Sequence, residues 1–193
     1  MDDRSEFVRQ WFKRAQKSTD DFDRYICLYL CLVVLAKSWA TQNGINPCND
    51  DDPEDGWFVN AYFFHHENAH ILVEVAESVK SFLPLVTQKN DEGDHIAYCC
   101  RATDREKLKA LYMHYKANSM IPDSLRAGAI GVMLKNIRNN LFHGRKYYER
   151  ERDQMLVSSA APILHSLVID GAKRQLDLAC DIEAISCLDD VDN

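Results

Sequence analysis

The sequence predicts an all-α fold, a bundle of five or six principal helices, from three observations. Apolar residues recur at spacings of three and four along every long segment. Strand-like alternation never lasts more than a few residues. Proline, glycine and Asp/Ser clusters fall between the periodic stretches, where connections belong. The 193 residues are 46% hydrophobic, enough for one core. A single domain over 1–193 is therefore expected, with its core at about 20–172 and a frayed acidic tail at about 186–193.

The elements follow in order. Phe7, Val8, Trp11, Phe12 and Ala15 form the inner stripe of a short first helix. Asp20 and Asp21 supply a cap region for a second helix reaching about Ala40, with Phe22, Tyr25, Ile26, Tyr29, Leu30, Val33 and Val34 in phase. Its apolar residues cover more than one face, as in the central helix of a bundle. Residues 43–56, with Pro47, Pro53 and many acids, read as an exposed loop. A third helix is expected over about 61–82, with Ile71, Val75, Ser78, Val79 and Phe82 inward and Pro84 closing it.

Residues 88–103 read as a surface excursion, and Asp104 as the start of a further helix. Pro122, Asp123 and Ser124 form a turn and cap. Leu125, Ala129, Met133, Ile137 and Leu141 then recur every four residues until Gly144 provides a left-handed stop. A helix over about 151–168 carries Leu156, Ala160, Ile163, Leu164 and Leu167 inward, with a kink or late start expected at Pro162. A separate short helix over about 173–185 completes the set. Trp11, Trp39 and Trp57 read as core or interface anchors.

The longest uninterrupted apolar run, 25–36, is shorter than a bilayer span, and no basic-apolar-cleavage pattern opens the chain. No membrane association and a cytoplasmic location are the expectations. The seven cysteines are odd in number and contain no C-x-x-C pair, which fits a reducing compartment. The net charge of −7 argues against non-specific coating of nucleic acid. The charge is uneven, however. Arg138, Arg145, Lys146, Arg150 and Arg152 cluster, while acids dominate 50–55 and the tail beyond Arg174.

That basic cluster surrounds the most informative segment, Lys135-Asn136-Ile137-Arg138-Asn139-Asn140-Leu141-Phe142-His143-Gly144. Arg138 offers a planar fork of donors for a phosphate, and His143 can move a proton near neutral pH. The two lie five residues apart, about 140° around an ideal helix. Asn139 and His143 are the i,i+4 pair, so the Asn139 amide can orient the imidazole. Bare carbonyls at the helix end favour both cations. Ordinary basic capping of a helix end accounts for the same residues without any chemistry.

The stretch Arg138-Asn139-Asn140-Leu141-Phe142-His143-Gly144 resembles the R-N-x-x-x-H signature of the HEPN superfamily of helical nucleotide-binding domains. The resemblance extends to helix order: a long apolar helix early, the signature at the end of a later one, then a helix patterned by Asp153, Leu156, Ala160 and Ile163. It implies a HEPN-like bundle and a metal-independent endoribonuclease of the kind used in toxin–antitoxin and antiviral defence. Arg138 and His143 match the catalytic pair, and Asn139 the polar residue after the arginine. A homodimer bringing two motifs into one cleft is implied, with RNA as substrate and an antitoxin or other regulator as a possible partner. No cofactor is expected. Lys135, Arg145, Lys146 and Arg150 are candidate backbone contacts, and Tyr147 is a candidate for stacking on a base. One subgroup of the family carries a tyrosine two residues after the histidine. Arg145 stands at that position here.

Two alternatives remain. The same cation cluster serves a non-catalytic module that binds RNA, a nucleotide or a protein. His66-Glu67-Asn68-Ala69-His70 also matches H-E-x-x-H, the pattern of a zinc hydrolase in which two imidazoles on one helical face hold the metal beside a glutamate base. Polar Asn68 inside a packing helix and the lack of a third histidine at the usual spacing weigh against zinc at His66 and His70.

Overall fold

The computed structural model describes residues 3–45, 55–79, 123–142 and 151–176. Among these the fold is all-α, with six helices: α1 (Asp3–Lys17), α2 (Asp21–Gln42), α3 (Asp55–Phe64), α4 (His66–Ser78), α5 (Asp123–Phe142) and α6 (Glu151–Gln175). The expected helix from Asp104, the excursion at 88–103 and the acidic tail lie outside the described residues.

Helix α2 is central, and its ends show why it starts and stops where it does. Asp20 is the N-cap, its carboxylate accepting from the Phe22 amide at 2.8 Å. At the other end Gly44 adopts φ 63°, which lets Ile45 N–H reach the Ala40 carbonyl at 2.8 Å and Gly44 N–H the Thr41 carbonyl at 3.3 Å. These two bonds make a Schellman stop, with Ile45 folded back against the core. Between the caps Tyr25, Leu28, Cys31, Leu32, Leu35 and Ala36 are buried, and α2 packs on α1, α3 and α6.

Helix α1 buries Val8, Phe12 and Ala15, and pairs Arg14 with Asp23 of α2 at 2.9 Å. Phe12 stacks on His165 of α6 with ring centroids 5.2 Å apart. Helix α4 packs on α3, α5 and α6, and α5 packs chiefly on α3 and α4. The two glycines Gly128 and Gly131 of α5 admit the rings of Phe64 and Phe63, so α3 approaches α5 closely.

Several expectations change. The single helix over 61–82 is two: His65 takes an extended conformation (φ −68°, ψ 131°), and its ring packs 5.1 Å from that of Trp39. Asp55 and Gly56, read as loop, open α3. On α4 the buried face is Asn68, Ala69, Leu72, Val73 and Ala76, while Ile71, Val75 and Val79 are only half-buried at its edge. The helix expected over 151–168 runs unbroken to Gln175, so no break precedes Lys173, and 177–185 lies outside the described residues. Pro162 is exposed within α6, so its missing donor falls on the solvent side. The inward set Leu156, Ala160, Ile163, Leu164 and Leu167 is buried as read.

Two helical stretches, Asp21–Gln42 and Asp153–Gln175, are long and apolar enough to cross a membrane by length and composition. The apolar run inside α2 is shorter because charged residues occupy the helix ends. Within the fold 67% and 61% of those stretches are buried against neighbouring helices.

A candidate anion site at the end of α5

Helix α5 is buried on most sides: Ala127, Ile130, Val132, Met133, Leu134 and Ile137 all contribute to the core. Its last two turns emerge from between α3 and α4 and bring Arg138 against the aromatic residues of α2. Tyr25 and Tyr29, one turn apart on α2, are buried with ring centroids 6.3 Å apart. The Tyr25 hydroxyl donates to the Leu134 carbonyl, one turn before Arg138. Burial pushes both phenols upward in pKa, Tyr25 further aided by Tyr29, and nearby Arg138 acts in the opposite direction.

The Arg138 guanidinium lies over two aromatic rings. Its Cζ lies 4.4 Å from the ring centroid of Phe142 and 5.8 Å from that of Tyr29, both within the range of a cation–π contact. Nη1 donates to Oδ1 of Asn139 at 3.0 Å. Its Nε is buried and has no hydrogen-bond partner. No described carboxylate pairs with Arg138, and the neighbouring Asp55 is bridged instead by Lys37 at 2.7 Å. A half-buried guanidinium with no counter-charge among the described residues stands out, since buried cations are ordinarily paired. With Nε buried and Nη1 bonded to Asn139, Nη2 is the donor group left for an anion among the described contacts.

No family model, curated protein or solved structure matches this chain. The site therefore has to be judged from its own chemistry.

Of the sequence candidates, Asn139 accepts from the adjacent Arg138, and the expected contact of its amide with His143 falls outside the described residues. Lys135 differs. It is only 8% exposed, its stem lies beside Gly56 at the start of α3, and it is already engaged inside the protein. A residue packed this way is not a surface contact for an RNA backbone. His143, Arg145, Lys146, Tyr147 and Arg150 lie outside the described residues.

The H-E-x-x-H segment opens α4. Glu67 and His70 are exposed, the side chain of His66 is outside the described set, and Asn68 between them is buried at 1% exposure. Asn68 accepts from Arg174 of α6 at 3.1 Å, and the same guanidinium reaches the Tyr62 hydroxyl at 3.3 Å and Asp170. The centre of the motif thus takes part in a polar tie between α3, α4 and α6. Among the described residues no three His, Cys, Asp or Glu side chains are grouped to hold a metal.

The residues missed from sequence are Tyr25, Tyr29 and Phe142. Phe142 was legible, since it stands four residues after Arg138 and so on the same helical face. The α2 tyrosines were placed in the core correctly, but nothing in their spacing told which helix they would meet.

Proposed function

We propose that this chain is a metal-independent endoribonuclease of the HEPN type, acting as a cytoplasmic homodimer in toxin–antitoxin or phage defence under an antitoxin or other regulatory partner. The observation that carries the reading is the Arg138 guanidinium, clamped by two aromatic rings and bonded to neutral Asn139, with no carboxylate among the described residues to neutralise it. A cation fixed in place without a counter-charge is preorganised to hold the charge that grows on a phosphoryl group.

In the proposed reaction the ribose 2′-oxygen bonds to its adjacent 3′ phosphorus and the bond from phosphorus to the 5′ oxygen breaks. One base accepts the 2′-OH proton and one acid protonates the departing 5′ oxygen, leaving a 2′,3′-cyclic phosphate and a 5′-OH. Two copies of His143, one from each protomer, fill these two roles. DNA lacks the nucleophile and is not cut.

The test is cleavage of RNA by wild type, Arg138→Ala and His143→Ala, each with and without EDTA. Activity that resists the chelator and falls about 10²-fold or more in either variant is the expected result. Loss with EDTA and in His66→Ala, with His143→Ala active, identifies a zinc hydrolase instead. No cleavage by any form, with RNA binding weakened in Arg138→Ala, identifies a binding module.

A further inference from the structure

We infer that Phe142 is a stacking platform for a nucleobase, so that the ligand gripped at the end of α5 is unpaired RNA. The identity of the nucleic acid rests on the ribonuclease reading. The platform itself rests on the placement of the ring.

Three large apolar side chains are exposed among the described residues: Phe64 at 46%, Met155 at 46% and Phe142 at 55%. Single exposed apolar residues are common on protein surfaces. What sets Phe142 apart is its neighbour. The ring of Phe64 lies against Gly128 of α5. Met155 borders a cavity of about 360 Å³ whose lining includes Asp20, Asp21 and Glu151, a negative setting that repels phosphate. Phe142 carries a guanidinium on its ring, the one at Arg138 that no described carboxylate neutralises.

The core does not need this ring. Ile137 and Leu134 already fill the inward side of this part of α5, and Leu141 is half-buried beside them. Phe142 therefore remains more than half exposed, with Arg138 over its ring. A nucleotide offers the matching pair of groups, a phosphate for the guanidinium and a flat base for the exposed part of the ring. Phenylalanine has no hydrogen-bonding group, so it reads the π-face common to all bases and not a particular base. In a duplex those faces are already stacked on neighbouring base pairs, whereas unpaired bases can splay onto an aromatic side chain. The platform thus selects single-stranded segments with little sequence preference.

The experiment measures binding of full-length protein to 2′-fluoro RNA carrying 2-aminopurine, single-stranded or annealed to its complement. This RNA lacks the nucleophilic hydroxyl, so binding is read independently of cleavage. Wild type is expected to quench the single strand and to bind the duplex at least ten-fold more weakly, on the order of the loss of one stacked base. Phe142→Ala and Phe142→Leu should each weaken single-strand binding by roughly five-fold or more and abolish the quench. Phe142→Trp should restore both. Tight binding by Phe142→Leu overturns the platform, because leucine keeps apolar bulk without a π-face. Equal affinity for the duplex overturns it too. So does a dimer, by light scattering, that dissociates in Phe142→Ala and Phe142→Leu, since the ring is then an interface between copies. Ordinary RNA is assayed for cleavage in parallel. Wild type that quenches but never cuts removes the nuclease and keeps the platform. Wild type that cuts while Phe142→Leu binds normally does the reverse.

Discussion

The hydroxyl of Tyr25 on α2 donates to the carbonyl of Leu134 on α5, one turn before Arg138. In a regular helix that carbonyl is also the acceptor for the Arg138 amide, so one oxygen receives a bond from each of two helices. Tyr25→Phe removes the buried bond without orphaning the carbonyl, which keeps its helical partner. The expected cost is therefore near that of a single neutral hydrogen bond, about 1 kcal/mol by urea denaturation. A loss above about 3 kcal/mol would mean that the hydroxyl holds more than this one contact.

Two glycines on α5 should respond oppositely to the same change. A Cβ on Gly131 would stand 2.4 Å from Cδ2 of Phe63, a ring that is 1% exposed and enclosed by the core. Gly131→Ala is expected to destabilise by about 1–3 kcal/mol through overpacking, despite the roughly 1 kcal/mol that alanine gains in a helix. A Cβ on Gly128 would meet Cε1 of Phe64 at the longer distance of 2.9 Å, and that ring is 46% exposed, so a smaller shift is needed and the core around it is not closed. Gly128→Ala should be neutral or stabilising by up to about 1 kcal/mol. Equal losses in the two variants, read from urea midpoints, would defeat the distinction.

Alkaline pH should unfold the protein by a route visible in its phenols and thiols. Burial pushes Tyr62 up to about 12 and Cys27 up to about 11, and raises Tyr25, Tyr29 and Cys31 as well. These are acids whose folded pKa exceeds the ordinary values of 9.0 for a thiol and 10.0 for a phenol. The unfolded chain releases their protons first, so stability is complete below about pH 9 and falls as pH rises beyond it. Urea midpoints at pH 8, 9, 10 and 11 should decline progressively. Cys31→Ala should flatten the first part of that decline, between pH 9 and 10, where only thiols differ. A midpoint unchanged up to pH 11 would contradict the burial of these groups.

What could be read from the sequence followed how local its cause was. The N-cap at Asp20, the periodicity of α1, α2 and α6 and the end of α2 near Ala40 depend on residues within a few positions of one another. All of these were legible. The break at His65 was not, because the segment around it has uniform helical spacing and the extended residue is seated by Trp39, far back on α2. The inner face of α4 shifted for a similar reason: Asn68 looks outward by polarity, and only its partner Arg174, over a hundred residues later, makes it a core residue. The adjacency of Arg138 and Asn139 near the end of a helix was legible. That aromatic rings hold the arginine required knowing that α2 and α5 meet.

The manner in which Arg138 is held yields the most discriminating prediction about function. Arginine can contact two rings through its faces while its edge bonds an anion, because the guanidinium is planar. Lysine carries the same charge as a point on a flexible stem and cannot do both. Arg138→Lys is therefore expected to lose RNA cleavage by about 10²-fold or more, much closer to Arg138→Ala than to wild type. Stability should change little in either variant, by about 1–2 kcal/mol, since among the described residues Arg138 has one hydrogen bond, to a neutral amide, and no ion pair to lose. Cleavage rates and urea midpoints measured together separate the two effects. Near-wild-type cleavage by Arg138→Lys would show that charge alone suffices at this position, and the contacts of Arg138 with Phe142 and Tyr29 would then have no part in the chemistry.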